Sequence, residues 1–156
     1  MVCFEIRRCL TNASYESYSM KKILIDLNVI LDFLNKRNFH EEAATLVDLC
    51  AQKKLEGHLC AHEITTLSYF LLKQGTDKTV AANTIAALMN LLDVFPVDKE
   101  ILRSALLSPV TDFEDAVIEA SAMRNGVDYI VTRNLSDFKQ SRVPALTPEQ
   151  FLVLDM

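Results

Sequence analysis

From Met20 onward the chain alternates between short β-branched apolar runs and longer stretches whose apolar residues recur every three or four positions. Ile23-Leu24-Ile25 is a run of the first kind, suited to a buried parallel strand, and it ends on Asp26-Leu27-Asn28 ahead of a helical stretch from Val29 to Asn35. His40 to Lys54 places Ala43, Leu46, Val47 and Cys50 at helical spacing. His58-Leu59-Cys60-Ala61 is a second strand candidate. From His62, the positions Leu67, Phe70 and Leu71 predict another helix, stopped by Gly75, with Glu63 in its first turn. Asp77 to Leu92 predicts a further helix and Lys99 to Leu107 a short one. Between them Val94 to Val97 reads as an edge strand or extended link, because Pro96 has no N–H to donate. Thr111-Asp112-Phe113-Glu114 has the form of a capping box, predicting a helix with Thr111 as N-cap that runs to about Arg124 and closes on Asn125-Gly126. Asp128 to Val131 is the clearest remaining strand, followed by the polar loop Thr132 to Asp137. A last helix should start at Thr147-Pro148-Glu149-Gln150 with Thr147 as its cap. Alternation of this kind implies an α/β fold, a short, mainly parallel sheet covered by helices on both faces.

Residues 1–19 show neither period, so they are expected to be a poorly ordered extension or a misannotated start, with one domain over 20–156. Four cysteines, Cys3, Cys9, Cys50 and Cys60, form no C-x-x-C pair, which suits a reducing, cytoplasmic setting. No apolar run approaches the roughly 18 residues of a membrane span. The formal charge of −5 argues against binding nucleic acid by overall electrostatics. That objection weakens if the acidic residues gather a divalent cation, which reverses the local field. Neither G-x-x-x-x-G-K nor G-x-G-x-x-G occurs, disfavouring an NTPase or dinucleotide enzyme.

Ligands of open α/β sheets collect outside the carboxyl ends of the strands, where Asp26-Leu27-Asn28 and Asn134-Leu135-Ser136-Asp137 should emerge. Asp115 and Glu63, each near a helix start, could point into the same crevice. Oxygen-only ligands suit Mg²⁺ or Mn²⁺, ions that activate a bound water and stabilise a phosphate in flight. Each residue also has a structural explanation. Glu63, Asp112, Glu114 and Asp115 could simply complement helix dipoles. Asp26, straight after an apolar strand, lacks that explanation and would be costly to bury without a cation or donors. His58 and His62, with Cys60 between them, are four apart, but a zinc pair would have to share one helix and His58 falls on a strand.

Three segments in order, Ile23-Leu24-Ile25-Asp26-Leu27-Asn28-Val29-Ile30-Leu31-Asp32, Asp112-Phe113-Glu114-Asp115-Ala116 and Tyr129-Ile130-Val131-Thr132-Arg133-Asn134 with Asp137-Phe138, resemble the PIN-domain family, and Leu146 to Phe151 resembles the end of one of its branches. The likeness covers about residues 20–154. It implies a three-layer PIN-like fold and a Mg²⁺- or Mn²⁺-dependent ribonuclease, often the toxin of a toxin–antitoxin pair similar to VapC, acting on RNA, held by an antitoxin protein and commonly homodimeric. Asp26, Glu63 and Asp115 match the family carboxylates. Where many members carry an aspartate after Thr-Arg this chain has Asn134, so Asp137 is expected to supply the fourth carboxylate. Asn28, Asn134, Arg133 and Asp112 are expected to support the site or contact substrate, with Lys36, Arg37 and Lys139 as further local bases. The competing reading is a catalytically silent PIN-like module that binds RNA or protein; a phosphatase or phospho-receiver domain is disfavoured by D-x-N in place of D-x-D.

Overall fold

The structure, a computed structural model, describes residues 20–154; the expectation for 1–19 lies outside them. Five parallel strands, β1 (Lys22–Ile25), β2 (Glu56–Cys60), β3 (Asp93–Phe95), β4 (Tyr129–Val131) and β5 (Ala145–Leu146), form one sheet in the order β3-β2-β1-β4-β5. Seven helices connect and flank them: α1 (Leu27–Asn35), α2 (His40–Ala51), α3 (Ala61–Lys73), α4 (Lys78–Leu91), α5 (Lys99–Leu106), α6 (Phe113–Arg124) and α7 (Pro148–Leu154).

The side-chain period of two in a strand explains the layers. Ile23 and Ile25 of β1 point to one face, into a core shared with Val29, Leu46, Leu67, Leu88 and Phe151 of the surrounding helices. Leu24 points to the other, with Ile130, Phe95 and Ile118 of α6. Both neighbours of β1 are strands, so the whole run is buried, with Ile23, Leu24 and Ile25 at 0% exposure. Membership of β1 in the sheet's centre therefore brings the ends of β2 and β4 beside its own.

Several boundaries differ from those predicted. Helix α1 begins at Leu27, two residues before Val29, which makes Asp26 its N-cap residue. Helix α6 is capped by Asp112, not Thr111: the Asp112 carboxylate accepts from Glu114 N (2.9 Å) and Asp115 N (3.2 Å), and a carboxylate outcompetes a hydroxyl for those free N–H groups. Strand β3 is an edge strand that stops before Pro96, as the missing donor requires. The two-residue β5 was not predicted; it is too short to show a period, and it pairs only with β4. Thr147 does cap α7, its Oγ1 accepting from Gln150 N at 3.3 Å.

Strand β2 runs so close to α2 and to the end of α4 that a Cβ at Gly57 would lie 2.5 Å from Cys50 Sγ and 2.7 Å from Leu92 Cδ2. Gly57→Ala should therefore cost about 1–3 kcal/mol through overpacking. Chemical denaturation measures this; a neutral or stabilising substitution would show that the sheet and helix can part freely.

Candidate active site

Three carboxylates, Asp26, Glu63 and Asp115, lie near enough at the carboxyl edge of the sheet to couple electrostatically. Asp26 follows β1 directly, its N–H donating to Val131 O of β4 at 2.9 Å, which extends the ladder by one bond and fixes where the side chain leaves the sheet. The carboxylate is buried, accepting from Thr132 Oγ1 at 2.7 Å and, weakly, from Asn28 Nδ2 at 3.4 Å. Burial raises its pKa, against the lowering effect of those hydrogen bonds. Asp26 thus occupies a helix N-cap position after all, but that favourable location does not offset its desolvation.

Glu63 lies in the first turn of α3 and is likewise buried. Its Oε2 accepts from Cys60 N (2.9 Å) and its Oε1 from Leu27 N (2.7 Å), so one carboxylate ties the start of α3 to the start of α1. Burial first, and then the nearby charge of Asp26, push its pKa up to about 8. Asp115, in the first turn of α6, is pushed up to about 7 by desolvation and then by Asp26, Asp112, Asp137 and Glu114. Its carboxylate accepts no hydrogen bond from a described residue. Electrostatic coupling thus links Asp26, Glu63 and Asp115 mutually, while Asp137, exposed on the loop after β4, reaches the group through Asp115.

The remaining candidates take different places. Asn28 leans on Asp26, and Asn134 donates its backbone N–H to Thr132 Oγ1 at 3.0 Å, ordering the hydroxyl that holds Asp26. Asp112 serves as the α6 cap. Arg133 is already committed: Nε meets Asp32 Oδ2 at 2.9 Å, Nη1 meets Glu149 Oε1 at 2.6 Å, Nη2 donates to Phe39 O at 3.2 Å, and the guanidinium stacks 3.9 Å over the Phe39 ring. It braces α1, the α1–α2 turn and α7 instead of offering a free cation to substrate. His58 stacks on Phe95 with centroids 4.2 Å apart and lies on the sheet, consistent with a core histidine. His62, by contrast, lies near Asp26 and Glu114; desolvation lowers its pKa against their charges, and its Nδ1 is buried with no hydrogen-bond partner.

Two contributors escaped sequence reasoning. Thr132, within the motif, donates to Asp26, and the sequence sign of this is a hydroxyl directly after an apolar strand. Glu119 is fully buried on α6, one turn beyond Asp115. It accepts from Arg142 N (2.6 Å), Nε (3.2 Å) and Nη2 (2.9 Å) and from Ser108 Oγ. That clamp fixes the loop carrying Asp137 to the helix carrying Asp115. A glutamate inside the apolar run Ala116-Val117-Ile118-Glu119-Ala120 was the available sign.

Among the described residues no three His, Cys, Asp or Glu side chains stand together as a ready-made ion cage. The donor chemistry nonetheless fits a hard divalent cation: the crevice holds crowded carboxylates with raised pKa values and no balancing Lys or Arg, and Mg²⁺ typically keeps most of its waters and takes only one or two carboxylates. Asp26 and Asp115 are the residues best placed to hold it.

The crowding predicts a pH dependence. Folded-state values of about 8 for Glu63 and about 7 for Asp115 lie above the unfolded values of 4.5 and 3.8, so the native chain retains protons that the unfolded chain has released. Their contribution is fully present below the unfolded values and is lost as pH rises to about 8. In chelator the melting temperature should fall between pH 5.5 and 8, and Asp115→Asn should shrink that fall and raise the melting temperature at pH 8. An unchanged or larger fall in the variant would contradict the electrostatic reading. Separately, Glu119→Ala should cost roughly 2–4 kcal/mol by denaturant titration, since several charge-assisted bonds are lost at once.

The family model for the PIN domain matches residues 22–136. No curated protein matches the chain. Among solved structures, similarity extends to VapBC2 from Rickettsia felis bound to a DNA fragment from its promoter (13% identity, TM-score 0.65, covering 81% of this chain and 98% of that one). A toxin–antitoxin complex from Klebsiella pneumoniae is similar at 17% identity and TM-score 0.62, over 81% and 97% of the two chains. So is VapC20 from Mycobacterium tuberculosis, a sarcin–ricin loop cleaving toxin (19% identity, TM-score 0.59, 78% and 98%). With the ordered strand-end carboxylates and a family model spanning most of its length, the chain belongs to the PIN-domain family.

Proposed function

We propose that the protein is a Mg²⁺- or Mn²⁺-dependent endoribonuclease, the toxin of a toxin–antitoxin pair. The observation that carries this reading is the electrostatic coupling of Asp26, Glu63 and Asp115, set at the starts of three helices along the carboxyl edge of the sheet, with raised pKa values of the kind found where a cation is bound or a proton is moved. The similar toxin–antitoxin complexes and the sarcin–ricin loop cleaving toxin VapC20 support the substrate class and the antitoxin partner. A homodimer and a cytoplasmic location are part of the proposal; among the described residues no helix is long and apolar enough to cross a membrane.

When bound, the divalent ion lowers the pKa of a coordinated water and offsets charge on the phosphate. In the proposed hydrolysis the water oxygen bonds to phosphorus as the bond from phosphorus to one ribose oxygen breaks, and the water's proton passes on balance to the leaving oxygen. Asp26 holds the ion-binding corner rigid through Thr132. Asp115, whose oxygens no described residue engages, would supply a second ligand to the ion or accept the proton. Both Glu63 oxygens are occupied by backbone N–H groups, so Glu63 acts chiefly by positioning α1 and α3, and serves as a ligand only by exchanging one of those bonds. Asp137 completes the acidic wall from the Glu119-clamped loop.

Asp26→Asn and Asp115→Asn should each reduce Mn²⁺-dependent cleavage of single-stranded RNA at least 100-fold while leaving the far-ultraviolet circular dichroism unchanged. Equal cleavage by wild type and both variants would sink the proposal. A folded wild type that binds RNA without cutting it would favour the silent module, a reading that Asn134, in place of a family aspartate, keeps in view.

A further inference from the structure

Next to the carboxylates, a cavity of about 580 Å³ opens between α1, the α1–α2 turn, the loop after β4 and the start of α7. Sites that hold small molecules span about 300–1,000 Å³. We infer that this cavity is the subsite for one unpaired nucleotide flanking the scissile phosphate, with Arg37 on its phosphate, Phe39 under its base and the Asn134 amide on the base edge. The inference rests on the ribonuclease reading and adds where the strand is gripped.

The cavity wall is neutral overall, but its two cations are not equivalent. Asp32 and Glu149 share one guanidinium, that of Arg133, at 2.9 and 2.6 Å. What remains uncommitted is Arg37, exposed at the rim, whose guanidinium makes no hydrogen bond or ion pair with a described residue. With one unengaged arginine at its rim and a carboxylate cluster alongside, the cavity suits a strand that bridges the two: one phosphate in the cleavage site, the next against Arg37.

Stacking surface is present as well. Phe39 is 45% exposed although it caps the start of α2, and Arg133 fixes it from one side at 3.9 Å. An immobilised aromatic ring loses little entropy on stacking, and unpaired RNA bases are commonly held on aromatic or guanidinium planes while amides read their edges. The Asn134 side chain, exposed at the same wall, bonds to no described residue and offers both a donor and an acceptor. Asn28, in the first turn of α1, lines the cavity and also touches Asp26, so the two sites share a wall.

The test is a ¹⁵N–¹H NMR titration of the full chain with each of the four nucleoside 5′-monophosphates in EDTA, beside inorganic phosphate. The expected result is saturable shifts at Arg37, Phe39 and Asn134 with a nucleotide, larger than those from inorganic phosphate, and affinity at least five-fold weaker in both Phe39→Ala and Arg37→Ala. Shifts no larger than those from phosphate, unchanged affinity in Phe39→Ala, or a response of the same resonances to an arginine-rich peptide and not to nucleotides would overturn it. Both substitutions are at exposed positions, and matching spectra of the free variants establish that they fold. Nucleotide binding here without RNA cleavage by the wild type would remove the nuclease reading and keep the subsite; cleavage without such binding would do the reverse.

Discussion

Everything at the functional edge depends on one buried carboxylate held at the end of the central strand. Asp26 can stay there because its backbone continues the ladder to Val131 and its side chain accepts from Thr132, yet these bonds do not compensate its burial. The residual cost is a local instability that the hydrophobic core on both faces of β1 absorbs. Adjacent elements are then arranged around that constraint. Glu63 reaches across from α3 to hold the N–H directly after Asp26, and Asp115 faces the same crevice from α6. A site that keeps like charges together is expensive for folding and useful for binding a cation or moving a proton.

Rigid support comes from residues that do not touch the crevice. Arg133 and Glu119 each make several charge-assisted bonds, one bracing the α1 side and α7, the other pinning the loop after β4 to α6. Two such clamps on opposite flanks limit how far the carboxylates can move apart. Partly buried ion pairs of this kind are weak sources of net stability but help to fix geometry once in place. The division of labour leaves Arg37 and Asn134 uncommitted at the edge, where a substrate strand would arrive.

Much of the architecture was legible because period and punctuation agreed. The run Ile23-Leu24-Ile25 announced a strand buried on both sides, and Gly75 and Asn125-Gly126 stopped their helices where expected. Errors fell where short-range chemistry competes. Asp112 displaced Thr111 as a cap because both offer an acceptor one residue apart, and β5 is defined by its partner strand alone. Within the candidate site, the segments that carry Asp26, Glu63 and Asp115 were legible, but the partners of their side chains were not. Nothing in the spacing of Glu63 reveals that both its oxygens go to backbone N–H groups 36 and 3 residues away, and nothing in the Thr-Arg motif shows the arginine turning from the crevice toward Asp32 and Glu149. Such facts depend on long-range closure of the fold.

In the proposed mechanism Asp26 and Asp115 would together hold a divalent cation at the sheet edge. Diffraction from crystals soaked in Mn²⁺, collected near the manganese absorption edge, tests it most directly. The account predicts an anomalous difference peak in the crevice within coordination distance of carboxylate oxygens of both Asp26 and Asp115. A peak elsewhere, or none while the two side chains remain side by side, would contradict it.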